Sequence, residues 1–108
     1  MRYCLALDLK EDPALIAAYD EYHRSVWPEI IDSIKTAGIQ QLEIYRISNR
    51  LFMIMEVNED FSFEHKTSLD AKNEIVQQWE KTMWEYQQAL PIAKPGEKWI
   101  LMEKIFSL

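Results

Sequence analysis

The sequence predicts an α+β fold, a single antiparallel sheet with helices on one face. Three observations predict it. Segments of alternating hydrophobicity stand near the start, in the middle and near the end of the chain. Two longer segments between them carry apolar residues at helical spacing, and Pro-, Gly- and Asn-containing breaks separate the pieces. At 108 residues and 48% hydrophobic content, the chain reads as one domain, residues 1–108, with enough apolar mass for its own core.

Arg2 to Leu9 is the first strand, with Tyr3, Leu5, Leu7 and Leu9 on one side. Asp12 suits an N-cap and Pro13 the first helical position, so a helix is expected from Pro13 to about Arg24. Leu15, Ala18, Tyr19, Tyr22 and Val26 fall near its inner face. Pro28 restricts Trp27 and predicts a kink or break there. Ser25 is then a candidate cap for a second helical piece carrying Ile30, Ile31, Ile34 and Ala37, stopped by Gly38.

Gln41 to Ile47 and Leu51 to Val57 read as strands joined by the short turn Ser48-Asn49-Arg50, an antiparallel hairpin. The run Leu51-Phe52-Met53-Ile54-Met55 is apolar throughout, which fits a strand covered on both faces. From Asn58 to Thr67 the pattern is weakest; Phe61 and Phe63 are expected to anchor a loop or helical turn. Ser68 or Asp70 is the expected cap of a helix running to about Gln88, with Trp79, Met83 and Tyr86 inward. Pro91 ends it, and Lys98 to Phe106 is the last strand. The order βαββαβ is ferredoxin-like. Its helices cover one face only, so the other face is expected to meet a second subunit or enclose a cleft, as a homodimeric barrel.

Composition narrows the function. A net charge of −6 without a basic cluster argues against nucleic acid. No apolar run reaches the roughly 18 residues of a membrane span, and no leader pattern opens the chain; a cytoplasmic protein is expected. Cys4 is the lone cysteine and the two histidines lie far apart, which predicts no disulfide and no metal site. With two glycines in all, there is no phosphate-cradling loop.

One stretch concentrates reactive side chains: Tyr19-Asp20-Glu21-Tyr22-His23-Arg24-Ser25-Val26-Trp27-Pro28-Glu29. Imidazole titrates near neutrality, so His23 can both give and take a proton. Tyr19, four positions earlier, is its neighbour on a helix, and Trp27 offers an apolar platform. On spacing alone the plainer account is favoured: a surface histidine beside two core aromatics. Trp79, Met83 and Trp84 form a second aromatic group for which core packing is likewise the plainer account, and Glu80 is either a substrate partner or a solvated helical glutamate.

The spacing of Tyr19, His23 and Trp27-Pro28-Glu29 resembles the L-rhamnose mutarotase family. Further likeness lies at Gly38, Ile44-Tyr45, Leu51 to Glu56, and Gln78-Trp79 followed by Met83. Within the family the chain is similar to a branch assigned to L-fucose, at Tyr3 to Lys10, Asn49 to Ile54 and Pro95 to Trp99. The resemblance implies a dimeric ferredoxin-like barrel that interconverts sugar anomers without a cofactor. It implies His23 as the catalytic proton carrier, with Tyr19, Trp79 and Glu80 at the monosaccharide. Two positions depart from the L-rhamnose pattern: Leu42 stands where those enzymes have a sugar-site tyrosine, and Glu80 where they have a second tryptophan. The departures favour L-fucose. Two competing readings are a cofactor-independent oxygenase of this fold and a non-enzymatic ligand-binding module; neither explains the Tyr19-His23-Trp27-Pro28-Glu29 pattern.

Overall fold

The computed structural model describes residues 1–108. Its elements are β1 (Arg2–Leu9), α1 (Pro13–Tyr22), α2 (Pro28–Thr36), β2 (Ile39–Ile47), β3 (Arg50–Val57), α3 (Phe63–Ala71), α4 (Glu74–Trp84), β4 (Gln87–Gln88) and β5 (Ile100–Leu101). The sheet order is β2-β3-β1-β4, with β5 also on β1, and every pairing is antiparallel. This is the expected ferredoxin-like order; the first helix breaks at Trp27-Pro28 into α1 and α2 as expected, whereas α3 and the short β4 are additions.

The local chemistry explains the elements. Asp12 caps α1 by accepting from the backbone N–H groups of Ala14 and Leu15 at 2.9 and 3.3 Å, with Pro13 at the first helical position. α2 starts at Pro28 and takes Trp27 as its N-cap without a side-chain hydrogen bond. Ser25 therefore does not cap it: proline's fixed φ suits the first helical position and sets the boundary two residues later. Gly38 follows the end of α2 with φ 98°, the left-handed conformation expected of a helix stop.

Residues 58–73 depart most from expectation. Ser62 Oγ accepts from His65 N at 3.0 Å and starts a separate helix, α3, where a loop or helical turn was expected. Ser68 and Asp70 lie inside α3, and Asn73 caps α4 instead, accepting from Ile75 N and Val76 N. α4 also ends at Trp84, short of Gln88. The reason is the edge of β1 turned away from β3, at Asp8 and Leu9. Gln88 and Gln87 pair with them, and Lys10 N donates to Tyr86 O at 2.9 Å. The last strand is also shorter than Lys98 to Phe106, with only Ile100 and Leu101 paired to β1. Ile100 and Leu101 face Ala6 and Leu5; in that register Lys104 would face Arg2, so residues 105–108 have no β1 residue to meet.

The core lies on the helix-covered face. One cluster joins Leu5, Ile39, Met55 and Val57; a second joins Leu9, Tyr19, Leu51 and Met83; Trp99 packs against both. The opposite face presents Ala6, Phe52, Ile54, Tyr45 and Ile47. Phe52 and Ile54 are half-buried, while Tyr45 and Ile47 are exposed.

Candidate active site

α1 ends one residue before His23, which serves as its C-cap. The His23 Nδ1 lies 2.8 Å from the backbone carbonyl of Tyr19. A carbonyl can only accept, so Nδ1 carries the hydrogen in this contact. In the neutral ring Nε2 then keeps a lone pair, the arrangement a general base needs.

Around that ring the aromatic residues close in. Tyr19 lies 4.5 Å away between ring centroids, and Trp79 meets His23 edge-on at 5.7 Å. Trp79 is the hub: Trp27 at 5.0 Å and Tyr22 at 6.1 Å also meet its ring edge-on. The stretch around His23 and the α4 aromatics, far apart in sequence, form one cluster in space. Edge-to-face packing of this kind fixes ring orientation as well as burying area. Below it, Asp20 receives Arg46 in a two-pronged pair, Nε to Oδ1 at 3.0 Å and Nη2 to Oδ2 at 2.7 Å, which ties α1 to β2. The guanidinium hydrogen bonds hold the Asp20 carboxyl below its ordinary range.

Tyr19 is buried, and its hydroxyl oxygen accepts from Gln87 Nε2 at 3.1 Å. Burial pushes the phenol up to about 12, although the Gln87 hydrogen bond pulls the other way. Tyr19 is therefore a neutral hydrogen-bonding group at any physiological pH.

A cavity of about 340 Å³ opens between the sheet and α2, α3 and α4. It sits near the lower end of ligand-pocket volumes, the size for a small ligand. Its apolar wall includes Leu42, Met53, Met55, Met83 and Trp99. Its polar groups include Lys66, Asp70, Glu80, Gln87 and Lys98, and Lys66 Nζ donates to the Asp70 carboxylate. Of the four expected site residues, Trp79 and Glu80 line this cavity; His23 and Tyr19 do not. Trp79 joins the two parts, since its ring contacts His23 and also forms cavity wall. Leu42, singled out as a departure from the L-rhamnose pattern, also lines the cavity. Gln87, Lys66, Asp70 and Lys98 are not expected here from sequence, which puts Gln87 in a helix, Lys66 in a loop, Asp70 at a helix cap and Lys98 at the start of the last strand. The Ser62 cap ahead of Glu64 was the available signal for α3. No three His, Cys, Asp or Glu side chains come together in a way that could hold a metal ion.

The L-rhamnose mutarotase family profile matches residues 2–108. An L-fucose mutarotase of Xanthomonas campestris pv. campestris is 48% identical over 109 residues, covering 99% of this chain and 87% of that protein. An L-rhamnose mutarotase of Formosa agariphila is 31% identical, covering 94% of each chain. Among solved structures, an L-rhamnose mutarotase from Formosa agariphila superposes with a TM-score of 0.73 at 27% identity, over 100% of this chain and 98% of that one. A tetracenomycin F2 cyclase from Streptomyces glaucescens shares the fold at a TM-score of 0.60 and 17% identity, over 100% and 96% of the two chains.

Proposed function

The chain belongs to the L-rhamnose mutarotase family, and on that premise we propose that it interconverts the α and β anomers of a 6-deoxy-L-hexose, L-fucose in preference to L-rhamnose. It is an isomerase, and the oxygenase and binding-module readings are not favoured. The L-fucose preference is supported by the 48% identity to an L-fucose mutarotase, against 31% to an L-rhamnose mutarotase. Leu42 and Glu80, both in the cavity wall, are the departures that support the same preference.

Anomer exchange needs a proton taken from the anomeric hydroxyl and another delivered to the ring oxygen. The ring opens to an aldehyde, the carbonyl carbon turns, and closure on its other face reverses both transfers. One group must therefore work in both directions, which is what imidazole offers. Proton transfers alone complete the reaction, so no cofactor is called for. The observation that carries the assignment is the His23 ring held at Nδ1 by the Tyr19 carbonyl, which leaves Nε2 to act, against the Trp79 wall of the cavity. Glu80 is the better-placed second group, because it lines the cavity whereas Tyr19 holds its own proton tightly. Trp79 supplies an apolar surface for the sugar's methyl group. His23→Ala tests this: acceleration of anomer exchange, followed by saturation-transfer NMR, should fall about 10²–10⁴-fold with the circular dichroism spectrum retained. An unchanged rate removes His23 from the chemistry.

The proposal includes a homodimer. Only 15 of 108 residues are buried in the single chain, and a tail with Ile105, Phe106 and Leu108 exposed runs beyond β5. Together with the uncovered sheet face, these side chains form the apolar surface that a second copy would cover. A cytoplasmic location remains part of the reading, to be checked by cell fractionation.

A further inference from the structure

Gln87 occupies an unusual position between the two halves of the site. Its backbone belongs to β4, paired with Leu9, so the residue is anchored independently of its side chain. It is only 5% exposed, yet it lines the cavity. Its Nε2 donates to the Tyr19 hydroxyl at 3.1 Å. Tyr19 in turn stacks against His23, whose Nδ1 bonds to the Tyr19 carbonyl.

The amide oxygen is the telling atom. No protein group donates to it: the Tyr19 contact is the side chain's single hydrogen bond. No fully occluded side-chain nitrogen or oxygen in the molecule lacks a partner. The Gln87 oxygen is therefore not occluded, and Gln87 is a residue of the cavity wall. A reachable amide oxygen with no protein donor is an acceptor that a ligand hydroxyl can use in place of water, while the other end of the amide stays held by Tyr19.

We propose that Gln87 reads a hydroxyl of the bound sugar: its Oε1 accepts from one ring hydroxyl while its Nε2 keeps the Tyr19 phenol in place beside His23. This rests on the mutarotase reading and names a specificity contact within it. One amide then does two things. It selects sugars with a donor hydroxyl at one ring position, and it ties sugar seating to the element that orients His23. Since the neighbouring cavity wall is largely apolar, a sugar lacking that hydroxyl leaves the amide oxygen unpaired and is discriminated against.

The experiment combines sugar binding and exchange. Binding of L-fucose and of its mono-deoxy analogues is followed by tryptophan fluorescence, since Trp79 and Trp99 line the cavity. Gln87→Met should weaken binding of the parent sugar on the order of tenfold. One mono-deoxy analogue should bind the wild type more weakly by a similar factor, and the variant should no longer distinguish that analogue from the parent. A structural role alone would weaken all analogues equally. In the wild-type protein, sugar addition should shift the Gln87 side-chain NH₂ resonances more than those of Gln40 or Gln88. This measurement stands even if Gln87→Met does not fold.

Wild-type affinity in the variant, or an unmoved Gln87 amide at saturating sugar, overturns the assignment. If the wild type still accelerates exchange in that case, the mutarotase reading survives without it. A wild type that neither binds nor exchanges either sugar overturns both.

Discussion

At the residue scale, the account turns on how two side chains four positions apart are treated differently. Tyr19 is sealed in the second core cluster and given one hydrogen bond, while His23 ends the helix half-buried with one ring nitrogen committed. The pairing of Tyr19 with His23 was legible in the sequence, because four-residue spacing on a helix makes neighbours. The burial of the phenol was not, since it depends on Gln87 and Met83 arriving from the far end of the chain. A titration follows. With five tyrosines in the chain, phenolate absorbance should show Tyr19 ionising late, near pH 12. The neutral phenol is favoured in the folded state, so below about pH 10 Tyr19 takes nothing from stability. Between about pH 10 and 12 the unfolded chain ionises first, and stability falls by roughly 2–3 kcal/mol. Tyr19→Phe should flatten that part of the stability–pH curve; an unchanged curve would show that the phenol is not buried in solution.

The elements were legible where their boundaries are set by local chemistry, and illegible where tertiary pairing sets them. Asp12-Pro13 and Gly38 mark their boundaries through capping and backbone freedom alone, and the structure uses them in that way. The Gln87-Gln88 segment has helical neighbours and becomes a strand because it meets the edge of β1 turned away from β3. α3 has a weakly amphipathic sequence, so periodicity did not show it, and its Ser62 cap was the one clear mark. Gly38 gives a direct test. Its φ of 98° disfavours any side chain, and a Cβ there would come within 2.8 Å of Asn58 Oδ1. That oxygen already accepts from Asp60 N at 3.1 Å and cannot simply swing away. Gly38→Ala should therefore cost at least about 1 kcal/mol in urea denaturation. The α2-to-β2 corner is relaxed in solution if stability is unchanged.

For the whole molecule, the ferredoxin-like order was legible because four strand segments and two helical ones in the order βαββαβ admit few antiparallel arrangements. The cavity was not, because its walls come from three helices, α2, α3 and α4, and four strands, β1 to β4, and no window of the chain contains them. The single chain leaves Ile105, Phe106 and Leu108 exposed beyond the last paired residues. If a second copy covers them, sedimentation velocity should show a dimer, and truncation after Met102 should shift it toward monomer. A monomeric full-length chain would refute the dimer without touching the chemistry proposed at His23.

The central claim is catalysis of anomer exchange, with discrimination between two sugars that differ only in hydroxyl configuration. The most direct test is exchange measured side by side on L-fucose and L-rhamnose by saturation-transfer NMR with the wild-type protein. The account predicts acceleration over buffer, greater for L-fucose than for L-rhamnose. Rates equal to buffer for both sugars would contradict it.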